Sequence, residues 1–169
     1  MTRLPIERDW QGVLLPAAEH AWIAFERAGE WLDVAFDAPY FGDPPPPMAA
    51  GPAPGLWEYE VIELFIAGPA DEYLEVELGP HGHYLVLSLR GVRKAWRSAL
   101  PLTYAAQIAE GRYRGRAQVP MSYLPPGPVR ANAYTIHGQG GARRYAAHAP
   151  VAGAQPDFHR LECFVPLGW

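Results

Sequence analysis

The chain has 169 residues, 49% apolar and 19% charged, with 19 prolines, 17 glycines, a single cysteine and a formal net charge of −4. That length fits one domain, residues 1–169, which buries ~70% of its unfolded surface and needs no covalent staple to fold. The acidic balance excludes the electrostatic footprint of a nucleic-acid binder, and the lone Cys163 excludes an internal disulfide.

The first residues, MTRLPIERDWQG, lack the apolar stretch of a signal peptide, and no run approaches the ~18 apolar residues needed to cross a bilayer. The expectation is a soluble, cytoplasmic protein with neither a membrane nor a nucleic-acid partner. Residues 20–27 and 31–37 alternate as strands around Ala28-Gly29-Glu30, a hairpin signal. Residues 38–56 hold seven prolines, four of them consecutive, and cannot join a central strand. This loop is either a solvated excursion or a semi-rigid wall beside a site. Three β-branched-rich runs follow at 59–67, 73–78 and 83–89, as a meander. Arg90, Arg93, Lys94 and Arg97 read as a solvated turn. Residues 104–109 and 113–119 form a second hairpin around Glu110-Gly111-Arg112, and Met121 to Leu124 a single helical turn. Strands at 130–137, 143–148 and 161–165 complete the count. Ten short strands without a sustained amphipathic helix predict an all-β protein: an antiparallel two-sheet β-sandwich, jelly-roll-like.

The meander threads acids through its strands. Residues two apart on a strand share a face. Leu74, Val76 and Leu78 therefore oppose Tyr73, Glu75 and Glu77, while Glu63 stands alone between Val61 and Phe65 on its own row. If Gly79-Pro80-His81-Gly82 closes a hairpin, Tyr84, Val86 and Ser88 join the Glu75 and Glu77 face. Leu74, Val76, Leu78, Leu85, Leu87 and Leu89 are assigned to the core. An unpaired buried carboxylate is costly, so Glu63 needs water in a groove or a donor such as Arg116 or Arg143.

Trp57-Glu58-Tyr59-Glu60-Val61-Ile62-Glu63-Leu64-Phe65 resembles the W-x-x-D-x-[VI]-E-[LV]-F signature of the DOMON-like superfamily, which includes the family-nine carbohydrate-binding modules. Glu60 stands where that pattern usually has Asp, and Glu63 falls on its Glu. Gly79-Pro80-His81-Gly82, Ile136-His137-Gly138 and the run from Pro156 to Glu162 are similar to an uncharacterised DOMON-like family of bacteria and eukaryotes. The resemblance implies a β-sandwich and a sugar held between aromatic planes, with Trp57 as the stacking residue. Trp96 and Trp169 are available as the second aromatic. Superfamily members that bind haem do so through Met and His, and no motif here links Met48 or Met121 to a histidine.

His81-Gly-His83 with Glu77 is the tidiest spacing for a metal ion, and also ordinary turn chemistry. No other cofactor is expected. Glu75 and Glu77 lie ~6.6 Å apart along one strand, but their side chains point in parallel and cannot flank a glycosidic bond. The reading is a non-catalytic carbohydrate- or polyol-binding module, with Trp57, Tyr59, Glu63, Tyr73, Glu75, His81, His137 and His159 as ligand-binding residues. Two alternatives stand beside it. One is an enzyme using Glu63 with a histidine cluster on a small polar substrate. The other is a protein-interaction module.

Overall fold

The computed structural model describes residues 1–168. Fourteen strands run in chain order: β1 (Thr2–Ile6), β2 (Arg8–Asp9), β3 (Ala21–Ala28), β4 (Trp31–Pro39), β5 (Gly51–Pro52), β6 (Val61–Ala67), β7 (Glu72–Leu78), β8 (His83–Arg90), β9 (Ala95–Arg97), β10 (Thr103–Ala109), β11 (Arg112–Pro120), β12 (Arg130–His137), β13 (Arg144–Ala147) and β14 (Val165–Pro166). They form a five-stranded sheet, β1-β3-β4-β11-β10, and a nine-stranded sheet with the path β2-β13-β12-β6-β7-β8-β5. β14 pairs with β12 and β9 with β8. Every pairing is antiparallel except β5 on β8. Only single 3-10 turns interrupt the strands, and no described helix is long and apolar enough to cross a membrane.

The two sheets face each other across a core of Leu4, Ile6, Ile23, Phe25, Val34 and Phe36 from the smaller sheet and Ile62, Leu64, Ile66, Leu74, Val76, Leu78 and Val86 from the larger. Alternation along β6 and β7 dictates this face, and burial of these side chains is the main stabilising term. Both short hairpins fall where glycine marks them. Gly29 and the Glu110-Gly111 pair take positive φ, which twists a tight turn to match its strands.

The larger sheet buries its second face as well. Val61, Phe65, Ala67, Tyr73, Leu85, Leu89, Tyr134 and Ile136 build a second apolar cluster there, closed by Val151, Phe158, Leu161 and Phe164 from the C-terminal segment. One sequence expectation fails at this point. Leu78 pairs with Tyr84, Val76 with Val86 and Leu74 with Ser88. Five residues, not four, separate the first pair, and a slip of one residue turns every side chain to the other face. Tyr84, Val86 and Ser88 therefore face the inter-sheet core, and Leu85, Leu87 and Leu89 share the face of Glu75 and Glu77.

Two further corrections concern the ends of the chain. The strand expected at 161–165 is a 3-10 turn, Leu161–Cys163, followed by the two-residue β14. The edge strand β1 carries no regular apolar alternation beyond Leu4 and Ile6 and holds a proline, as edge strands tolerate.

Candidate functional site

A cavity of about 560 Å³ opens on the outer face of the larger sheet. Its floor is the meander: Glu63 and Phe65 from β6, Glu75 from β7, and Leu85, Leu87 and Leu89 from β8. Its walls come from segments remote in sequence. Pro54, Gly55 and Trp57 end the proline-rich loop, Arg93, Ala95, Ser98 and Ala99 lie around β9, and Pro156, Phe158 and His159 belong to the C-terminal segment; Ile136 and Tyr145 complete it.

Asn132 holds the C-terminal wall in place. Its amide nitrogen donates to the Tyr134 hydroxyl (2.8 Å) and to the Ala149 carbonyl (2.9 Å). Its amide oxygen accepts from the N–H groups of Ala133 and Ala149, both at 2.9 Å. Every polar atom of this buried side chain is matched, which fixes where the chain departs from β13 and returns over the sheet. Phe158 then stacks on Tyr134 with ring centroids 3.8 Å apart.

A second latch joins the two remote walls. Arg93, at positive φ in the turn before β9, donates to Asp157 Oδ1 at 2.7 Å. The Arg93 N–H donates to the Tyr73 hydroxyl at 2.9 Å, and that hydroxyl lies 2.7 Å from His159 Nδ1. That contact is a hydrogen bond in either imidazole tautomer, because the hydroxyl keeps its own proton and a second lone pair after accepting from Arg93. Burial, with Arg93 adding to it, pushes His159 down to about 4, so the ring is neutral. Burial raises Tyr73 to about 12.

The carboxylates are the unusual feature. Glu63 is 2% exposed, Glu75 3% and Glu77 0%, and each offers an oxygen within 4.8 Å of the other two. Among the described residues, Glu75 Oε2 and both Glu77 oxygens are sealed from solvent with no hydrogen bond of normal geometry, although Glu75 and Glu77 adjoin each other and the Trp57 N–H adjoins Glu77. Burial raises all three. It takes Glu75 to about 7, with the contact to Glu77 and then Arg93 pulling the other way. Glu63 stands well above its ordinary range through burial and then Glu75, and Glu77 through burial and then the charges of Glu63 and Glu75. Arg143 is the cation that eases Glu63, yet its guanidinium is committed to backbone carbonyls, Glu58 at 2.7 Å, Gly138 at 2.9 Å, and Trp57. Arg116 lies on β11 of the other sheet and plays no part in this.

Of the residues singled out from sequence, Trp57, Glu63, Glu75 and His159 line one cavity, and Tyr73 reaches it through His159. Trp57 is 46% exposed at the rim, so it does not plug the sandwich end. Tyr59, His81, His83 and His137 lie elsewhere, against the proline-rich loop. His81 Nε2 meets the Tyr40 hydroxyl at 3.2 Å, His83 Nε2 bonds the Met48 carbonyl at 2.9 Å, and His137 stacks on Phe41 at 3.5 Å. Tyr59 lines a narrow crevice with Glu60, His81 and His83 under Pro44 to Pro46. Glu60, the departure from the superfamily pattern, accepts from the N–H groups of Phe41 (2.7 Å), Gly42 (3.1 Å) and Asp43 (3.1 Å). Asp43 in turn accepts from Gly138 N–H at 2.5 Å. The loop is therefore a fastened wall. Gly138 is required there, because φ is +78° and a Cβ would sit 2.4 Å from the Ala142 carbonyl oxygen.

The cluster of groups that meets the geometry of a metal site is the carboxylate trio, and His81, His83 and Glu77 do not form one among the described residues. Trp96 is 49% exposed, lies under the Arg90 guanidinium at 3.8 Å and does not line the cavity; Trp169 lies outside the described residues. Sequence reasoning passed over Arg93, Asn132, Tyr145, Asp157 and Phe158. The last two stand inside the run from Pro156 to Glu162, so the signal was present, while Asn132 carries none.

A two-sheet β-sandwich with a deep, acid-floored and aromatic-walled cavity on its larger sheet defines the class of fold. Two solved structures share the sandwich fold. A Bacteroides uniformis protein proposed to bind carbohydrate superposes with a TM-score of 0.73 at 14% identity, covering 97% of this chain and 84% of that one. A family-nine carbohydrate-binding module from Caldicellulosiruptor kristjanssonii, solved with cellotriose, gives 0.50 at 12% identity, covering 76% and 65%. At these identities the likeness establishes the fold alone. No family model matches the chain.

The chain belongs to the UPF0462 (C4orf33) family. It is 38% identical to the mouse UPF0462 protein C4orf33 homolog over 97% of this chain and 90% of that protein. The human protein is 39% identical over 94% and 84%, and the zebrafish homolog 41% over 84% and 77%.

Proposed function

We propose that this chain is a non-catalytic binding module for a small carbohydrate or polyol. The observation that carries the reading is the cavity itself: aromatic planes of Trp57, Phe65, Tyr145 and Phe158 around the acceptor oxygens of Glu63 and Glu75. Sugars present apolar ring faces and hydroxyl edges, and a site with aromatic walls and a few fixed polar groups matches both. Trp57 stacks on the ring at the rim, Glu63 and Glu75 accept from hydroxyls, and the His159 imidazole adds a further hydrogen-bonding group. Two solved relatives of the fold are linked with carbohydrate, which supports the same reading.

Binding without turnover follows from the placement of the acids. Glycosidases set two carboxyl groups on opposite sides of the scissile bond, ~5 to 9.5 Å apart. Here Glu63 and Glu75 share one floor, with oxygens within 4.8 Å of each other and of the enclosed Glu77, and approach a ligand from the same side. The enzyme reading keeps one observation in its favour, a carboxyl near neutrality (Glu75, about 7) beside a cavity-facing His159.

Calorimetric titration of the purified protein against mono- and oligosaccharides, with chromatography of the mixtures, separates the two. A ligand recovered unchanged, with affinity lost in folded Trp57→Ala and Glu63→Gln variants, is the expected result. Sustained conversion of a sugar that disappears in Glu63→Gln would overturn it.

A further inference from the structure

Glu63 and Glu75 stand on the cavity floor with Glu77 enclosed beneath them, and no cation among the described residues is paired with the cluster. Each carboxylate has an oxygen within 4.8 Å of the others, all are at least nine-tenths buried, and Glu75 Oε2, on the floor, makes no hydrogen bond of normal geometry among the described residues. The two nearby guanidinium groups are already engaged, Arg143 with the carbonyls of Glu58 and Gly138 and Arg93 with Asp157. Three desolvated acids at this distance repel one another in any state with more than one ionised. Their positions make sense with a positive charge among them.

We propose that the ligand carries a protonated amine, seated on Glu63 and Glu75, with Glu77 behind them, and with its carbon skeleton against Trp57 and Phe158. The inference rests on the carbohydrate reading in one respect: within that reading the ligand is an amino sugar or an amino-polyol. An ammonium group has three N–H donors and no acceptor, and its charge favours the ionised, acceptor-only form of the carboxyl groups it meets. Charge-assisted hydrogen bonds are about twice as strong as neutral ones, and a desolvated ammonium also gains from aromatic faces. A divalent ion fits the remainder of the cavity poorly. Calcium takes six to eight oxygen ligands, whereas the floor around the acids continues as Leu85, Leu87 and Phe65, whose side chains offer none.

The test is calorimetric titration of the full chain at pH 7 with two matched pairs, glucosamine against glucose and cyclohexylamine against cyclohexanol, and with calcium chloride. Glucosamine is expected to bind at least ~10-fold more tightly than glucose, and Glu75→Gln to abolish that preference. Glucose binding as tightly as glucosamine overturns this inference and leaves carbohydrate binding standing. Cyclohexylamine binding over cyclohexanol with neither sugar bound sustains the ammonium site and overturns the carbohydrate reading. Failure of both amines overturns the proposal, as does stoichiometric calcium binding lost in Glu75→Gln. Melting curves verify that Glu75→Gln is folded, and Glu63→Gln serves as the second variant if it is not.

Discussion

Replacing Glu75 with Gln should stabilise the ligand-free protein, and the gain should grow as pH rises. Burial lifts the Glu75 carboxyl from 4.5 to about 7, so the folded chain holds this proton more tightly than the unfolded chain does. Below pH 4.5 the carboxyl is protonated in both states, and its contribution to stability is fully present. Between 4.5 and 7 the unfolded chain ionises while the folded chain does not, and that contribution is progressively lost. Above 7 the loss is complete. At 1.36 kcal/mol for each tenfold change in proton affinity, it amounts to about 3 kcal/mol. Gln does not titrate. The difference between variant and wild type should therefore widen by about 3 kcal/mol from pH 4.5 to 7.5, or ~6 to 12 °C in Tm for a chain of this size. Urea unfolding at matched ionic strength, at pH 4.5, 6 and 7.5, reads the difference directly. A difference that stays constant across that range would show that Glu75 is solvated or paired in solution, and would remove the basis for a cation-seeking floor.

Four further outcomes follow from the same geometry. His159 is held neutral and pushed down to about 4, so its contribution is present above its ordinary value of 6.5 and lost as pH falls toward 4; His159→Asn should erase that acid loss in the same urea series. Glu60→Ala strands the N–H groups of Phe41, Gly42 and Asp43, should cost about 1 to 3 kcal/mol, and should open residues 40–50 to limited proteolysis. Val76→Asp buries an unpaired charge between the sheets and should yield no cooperative melting transition. Trp57→Ala should lower Tm far less than the about 3 to 5 kcal/mol of a buried aromatic truncation, because the side chain is 46% exposed, while removing ligand binding in the calorimeter.

The strands that sequence made legible are those whose two faces differ. β6 and β7 alternate cleanly, and β3-β4 and β10-β11 are tied by glycine turns, so their pairing was readable. β8 is apolar on both faces, and alternation alone could not say which row meets the core; one extra turn residue decided it against the expected register. β1 escaped notice because an edge strand with Pro5 pairs on one side only. For the site, Trp57, Glu63 and Glu75 were legible because carboxylates and a tryptophan on strands otherwise devoted to packing need a reason. The histidines misled. His81, His83 and His137 sit in turn-like settings that resemble ligand sets, and they fasten a long loop instead. The cavity walls are contacts between segments up to a hundred residues apart, set by Asn132 and by the Arg93–Asp157 pair, and no local pattern encodes them.

The division of labour between the two faces of the larger sheet explains how the fold tolerates such a floor. Ile62, Leu64, Leu74, Val76 and Val86 are buried between the sheets, and their burial makes β6, β7 and β8 rigid irrespective of what the other face carries. That rigidity is what lets Glu63 and Glu77, directly paired across β6 and β7, remain close although Glu63 raises the proton affinity of Glu77. A flexible scaffold would relax the acids apart or into water. Here strand spacing holds them, and Arg143 and Arg93 are spent on carbonyls and on Asp157 instead of on the acids. The destabilisation stored on the floor is thus available to a ligand that brings the missing charge.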